Sequence, residues 1–153
     1  MLNSILSSFY ERDLRRLIEE IQLFQREEHL WQTKGSVKNT SGNLVLHLIG
    51  GLNYLIGAKL AHTSYIRHRD QEFTNRDVPR LELITQIEAL IVMIRDTLSE
   101  LGPEGMTANY PIPFDDQIVP NSYVLVQLLA HLNYHLGQIN YLRRVLESQG
   151  EGK

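Results

Sequence analysis

His131-Leu-Asn-Tyr-His135-Leu-Gly-Gln138 lies in the middle of the last long predicted helix, Asn121 to Ser148, and places two histidines four residues apart. Residues at that spacing stand one above the other on a helix, so their imidazoles can converge on one point, as a metal ion requires. A chain with six histidines produces such a pair by chance often enough that the face it occupies has to carry the case. At about 100° per residue, His131 and His135 fall on one stripe with Gln127, Gln138, Val124, Leu128, Leu142, Val145 and Leu146. Asn133, Asn140 and Arg144 fall opposite. The histidines are therefore expected to point at the core. A buried polar group without a partner costs roughly 1–3 kcal/mol, so two imidazoles and two amides aimed inward need one another or a ligand.

The second histidine-bearing segment is equally telling. Ser41-Gly42-Asn43 offers N-cap residues for a helix running to about Leu60, and no charged residue occurs between Asn43 and Ala58. Leu44, Val45, Leu48, Ile49, Leu52, Leu55 and Ile56 make most of its circumference apolar. One stripe, Asn43, His47, Gly50, Gly51, Tyr54 and Ala58, is small or polar without charge, which suits the wall of a cavity. His47 stands in the middle of it. The alternative is a core histidine bonded to a backbone carbonyl, with Gly50 and Gly51 letting another helix approach closely. Gly51-Leu-Asn-Tyr-Leu-Ile-Gly57 and His131-Leu-Asn-Tyr-His-Leu-Gly137 share Leu, Asn, Tyr and Gly in register, a weak repeat that suggests two equivalent helices.

Two further helices complete the pattern. From Leu2 to about His29, Leu6, Tyr10, Leu14, Leu17, Ile21 and Phe24 recur at three- and four-residue steps, with Arg12, Arg15, Arg16 and Glu19 on the other side. Trp31 follows as an anchor at the helix end, and the polar stretch Gln32–Thr40 turns the chain. Asp77 and Pro79 open a third helix, where Ile84, Ile87, Ile91, Ile94, Leu98 and Leu101 alternate steps of three and four until Gly102-Pro103 ends it. Residues 61–77 are charged and irregular; His62 and His68 are read as exposed and His29 as lying on a polar turn beside Glu27 and Glu28, and none of the three is assigned a ligand role. The segment up to Pro120 has no periodicity, and a loop of that length in a compact domain is more often functional than incidental.

Composition narrows the possibilities. At 153 residues the chain is read as a single domain, 1–153, large enough for its own core. A net charge of −3 with no Lys/Arg block argues against nucleic acid or a polybasic membrane contact. With no cysteine, any thiol chemistry must use a thiol brought by the substrate. The N-terminus lacks a signal pattern and no apolar run reaches the ~20 residues of a membrane span, so a cytoplasmic location is expected.

Ser41-Gly-Asn-Leu-Val-Leu-His47-Leu-Ile-Gly, His131-x-x-x-His135, the preceding Leu30-Trp31 and four long helices in about 150 residues together resemble the DinB-like superfamily over the whole chain. The resemblance implies an all-α four-helix bundle with up-down-down-up topology. It also implies a divalent metal, typically nickel or zinc, held by a histidine triad that falls on His47, His131 and His135. Relatives of this kind include metal-dependent transferases that use low-molecular-weight thiols, alongside many with no assigned reaction. The resemblance thus points to the site more firmly than to a substrate.

Three neutral imidazoles on a divalent ion would leave coordination positions for water or substrate, as in a catalytic centre. No Glu follows His131, which removes the zinc-protease pattern, and no Glu-x-x-His occurs, which removes the carboxylate-rich di-iron bundle. Gln127 and Gln138 are placed to orient imidazoles or water from behind. A general base would have to come from Asp70, Asp115 or Asp116, each of which is equally a solvated loop acid. The expected function is a metal-dependent transferase or hydrolase acting on a small molecule. The alternative is a non-catalytic bundle in which the metal only ties two helices together. Val126, Ala130, Asn133 and Gly137 form an uncharged strip on the back of the last helix, which suggests a two-fold homodimer.

Overall fold

The computed structural model describes residues 1–148. The described residues are all-helical, with isolated bridges at Asn109–Pro120 and Phe114–Gln117 in place of strands. The helices are α1 (Leu2–Leu23), α2 (Ser41–Leu52, continued by the wider π-turn Asn53–Ala58), α3 (Arg69–Thr74), α4 (Arg80–Thr107) and α5 (Asn121–Glu147). No helix among them is long and apolar enough to cross a membrane.

α1 packs against α4 and α5, and α2 against α4, α5 and the short α3. The core follows much of the predicted stripes: Leu14, Leu17, Ile21, Ile87, Leu98, Val124 and Leu128 are buried, whereas Val145, expected with them, is exposed, and Leu125 and Leu132, outside the expected stripe, are fully buried because α1 covers that side of α5 as well. Polar cross-links join α1 to α5. Asn133 Nδ2 donates to buried Asp13 at 2.7 Å and Asn140 Nδ2 to Glu20 at 2.6 Å, while Arg143 pairs with Glu20 at 3.0 Å. Asn133 and Asn140, expected opposite the histidine stripe, thus line the seam with α1, so that stripe is not the only face that meets a neighbour.

Several boundaries differ from expectation. α1 ends at Leu23 rather than near His29, and Glu27–Trp31 forms a separate 3₁₀ turn. Arg80 explains the early stop: its guanidinium donates to the carbonyls of Gln22 and Phe24, taking over the open end of α1. His29, in the 3₁₀ turn, is half-buried, its Nδ1 lying 3.0 Å from Glu147. Trp31 anchors as expected, its ring lying so close to Gly42 that a methyl group there would come within 2.7 Å of it. The N-cap of α2 is Thr40, whose hydroxyl accepts from Asn43 N–H at 3.1 Å.

Gly102 does break the third predicted helix, at φ 60°, but a further helical turn follows it to Thr107. The two similar heptads are built differently. Gly57 is buried in a π-turn, whereas Gly137 is exposed in regular α-helix.

Candidate metal centre

α2 and α5 bring His47, His131 and His135 together, with one nitrogen from each lying within 4.8 Å of the others. His47 Nε2 and His131 Nε2 are 3.1 Å apart. Two nitrogens on one tetrahedral zinc, each bonded at about 2.05 Å, would stand about 3.3 Å apart. That spacing is already nearly met, and the widest pair has to close in. The three rings meet edge-on, with centroids 4.4–5.3 Å apart. Three histidines could therefore hold a metal ion, and the donor set is one that zinc, nickel or a similar ion accepts.

The histidines do not face the core as the wheel suggested. His131 is exposed, and His47 and His135 are half-buried. They sit between α2 and α5, His47 and His131 at the edge of a cleft. Burial lowers the pKa of His47 and the Glu72 carboxylate only partly opposes it. For His131, burial first and the positive surroundings of His135, His47 and Arg67 second push the pKa down to about 4. Both rings are consequently neutral at pH 7, with lone pairs free for a metal.

A cleft of about 390 Å³ opens beside His47 and His131. Leu48, Leu52, Leu55 and Leu128 make its apolar wall, and Arg67, Arg69 and Asp115 its polar rim. The long loop supplies Asp115 and Phe114 because Tyr110 pins it to α2: the phenol donates to the Leu55 carbonyl at 2.6 Å, inside the π-turn. A second concavity, of about 650 Å³, reaches His135 and Gln138 from the other side, between Tyr134, Tyr141 and the segment carrying Lys34 and Lys38.

The remaining candidates separate. Gln138 accepts from His135, its Oε1 lying 2.7 Å from Nδ1. Gln127 lines the cleft, but its amide donates to Tyr123 Oη at 3.3 Å rather than touching an imidazole. Of the four residues expected to wall the cavity, Gly51 lines this cleft. Asn43, Gly50 and Tyr54 do not; residues 61–77 fold back over α2 and cover Asn43 and Gly50, and the Tyr54 ring lies against Lys59 instead. Among the acids, Asp115 reaches the cleft, whereas Asp70 is exposed on α3 and neither it nor Asp116 lines it.

Two residues that the sequence left in an irregular loop lie next to the histidines. Glu72, buried on α3, has Oε1 3.0 Å from His47 Nδ1. Arg67 donates to both carboxylate oxygens at 2.9 Å. The signal available was Gly50 beside His47: a residue without a side chain in a buried helix leaves room for a group arriving from elsewhere.

Fold and site define an all-helical protein with a three-histidine cluster at the mouth of a cleft. The chain belongs to the DUF1572 family, described as a protein of unknown function, whose model matches residues 2–151. No curated protein and no solved structure matches it.

Proposed function

We propose that this chain is a divalent-metal-binding protein of DinB-like type, its long helices forming a four-helix bundle with up-down-down-up topology, and that it is a metal-dependent enzyme acting on a small molecule. The observation that carries this reading is the position of the three imidazoles, within 4.8 Å of one another, two of which, His47 and His131, line a cleft of about 390 Å³. A purely structural tie would gain from being closed off, and His131 is exposed. The ion, zinc or nickel, would be held by His47, His131 and His135 and would supply Lewis-acid activation of a bound oxygen or sulfur. The leucine wall would take the apolar part of the substrate, while Arg69 and Asp115 on the rim would orient its polar groups. Asp115, the one candidate acid in the lining of the cleft, would move a proton. Thiol-dependent transfer and hydrolysis both fit such a centre, and in the first case the thiol comes from a co-substrate because the chain has no cysteine.

Metal analysis of untagged protein tests the centre. About one equivalent of metal per chain is expected, lost in His131→Ala, and equal metal in the two samples would end the assignment. Chelation then separates catalysis from a structural tie between α2 and α5. The catalytic reading expects loss of turnover in a thiol-conjugation or hydrolase screen with little change in melting temperature. Collapse of stability with no turnover for any substrate would favour the structural tie.

A further inference from the structure

We propose that Glu72 is a positioning residue for the metal centre: it fixes His47 as the tautomer whose Nε2 lone pair faces His131 and His135, with Arg67 locking the carboxylate in place. The inference rests on the metal-binding reading above and adds to it a residue outside the histidine pattern.

The geometry leaves His47 Nδ1 two neighbours. Glu72 Oε1 is at 3.0 Å, and Arg67 Nη2 is at 3.5 Å. Arg67 already spends that nitrogen on Glu72 Oε1 at 2.9 Å and its Nε on Oε2 at 2.9 Å. The shorter contact is to a carboxylate, which can only accept, so Nδ1 carries the proton. Nε2 is then unprotonated and lies 3.1 Å from His131 Nε2, on the side where the three donors converge. A carboxylate behind a ligating imidazole both orients the ring and raises its basicity.

The carboxylate is itself held on every side. Glu72 is 6% exposed, Arg67 grips it with two parallel hydrogen bonds, and Gly50 leaves the space it fills. Its backbone carbonyl is bonded by Asn43 Nδ2 at 2.9 Å, so α3 cannot slide along α2 without losing that bond. A buried acid serving stability alone would need its arginine but would not need to stand behind a histidine whose other nitrogen points at two more.

Zinc affinity by competition with a chromogenic chelator, together with the His47 tautomer in metal-free protein from long-range ¹⁵N–¹H correlation spectra, tests the proposal. Glu72→Ala is expected to weaken zinc binding roughly 10- to 100-fold and to release His47 from the Nδ1–H form. Glu72→Gln, which retains an acceptor of the same shape, keeps the test decisive if the alanine variant fails to fold; it should show a smaller loss in the same direction. Asp70→Asn removes the same charge from the exposed side of α3 and should leave both readouts unchanged. Wild-type zinc affinity in Glu72→Gln and Glu72→Ala, or an Nε2–H tautomer in the wild type, would overturn the role of Glu72 while leaving the metal site standing. A wild-type protein that binds no zinc, nickel or other divalent ion would instead remove the reading on which it rests.

Discussion

Gly50 and Glu72 compete for one space: a methyl group on Gly50 would sit 2.6 Å from the Glu72 carboxyl carbon. The glycine in α2 is therefore the counterpart of the acid on α3, and its lack of a side chain is what allows the carboxylate to reach His47.

Gly50→Ala should consequently destabilise the protein. In an ordinary helix interior that substitution stabilises by up to about 1 kcal/mol. Here the methyl has to displace a buried, doubly paired carboxylate, and a net loss of about 1–3 kcal/mol is expected. Urea unfolding of the two proteins checks the sign, which is opposite for the two effects. A more stable alanine variant would show that Glu72 has room to move aside.

Asn43→Ala should loosen the α3 segment. The Asn43 amide donates to the carbonyls of Glu72 and Asn75, both at 2.9 Å, and its oxygen accepts from Arg76 at 2.7 Å and Thr40 at 2.6 Å. Losing one buried side chain that satisfies several partners is expected to cost about 2–3 kcal/mol. Limited proteolysis should show new cleavage between residues 61 and 77 before global unfolding. Unchanged resistance there would mean that Glu72 and Arg67 hold the segment by themselves.

What could be read from the sequence was whatever helical periodicity encodes. Leu14, Leu17 and Ile21, then Ile87, Ile91 and Ile94, then Val124 and Leu128 stand at steps of three and four, and all are buried. His131 and His135 could be paired because i, i+4 spacing on a helix is a geometric statement. Whether that stripe faced core or rim was not legible, because a wheel gives an angle but not the distance to the next helix. Residues 61–77 were hidden for a different reason. Arg67 and Glu72 are charged residues in a short, weakly periodic segment, and only their pairing across five residues under cover of α2 makes them internal. The roles of Asn133 and Asn140, which the wheel puts opposite the histidine stripe, were likewise hidden, since nothing in the pattern of α5 reveals that acids of α1 lie opposite them.

Metal-free protein should lose stability as pH falls from about 6.5 towards 4. The His131 pKa is lowered to about 4 in the folded chain from an ordinary value of 6.5. Below 6.5 the unfolded chain takes up a proton that the folded one refuses, so unfolding is favoured progressively until pH falls below about 4, where both forms bind it. Burial lowers His47 in the same direction. Thermal melts at pH 7.5 and 5 should therefore differ more for the wild type than for His131→Gln, which carries no titrating ring. An equal fall in the two proteins would assign the acid sensitivity to other groups.

Self-association is the remaining expectation, and α5 carries it. Tyr123, Val126, Ala130, Tyr134, Gly137, Tyr141 and Val145 share one face of the helix; all are exposed, Tyr134 by 65% and Tyr141 by 69%, and none is charged. Asn133, first placed in this strip, belongs to the α1 seam through Asp13. A methyl group on Gly137 would meet nothing within 4 Å, so the face is open at its centre. An uncharged, partly aromatic stripe several turns long is more apolar than a solvated helix face needs to be. We propose that a second copy of the chain covers it by two-fold packing, in which each stripe lies against the other. Light scattering over micromolar concentrations should give twice the 17.7 kDa of one chain. Gly137→Glu would place two carboxylates in the middle of that contact and should return the mass to the monomer value without changing the melting temperature measured in dilute solution. A constant monomer mass for the wild type would exclude the dimer, and a dimer that survives Gly137→Glu would move its interface off α5.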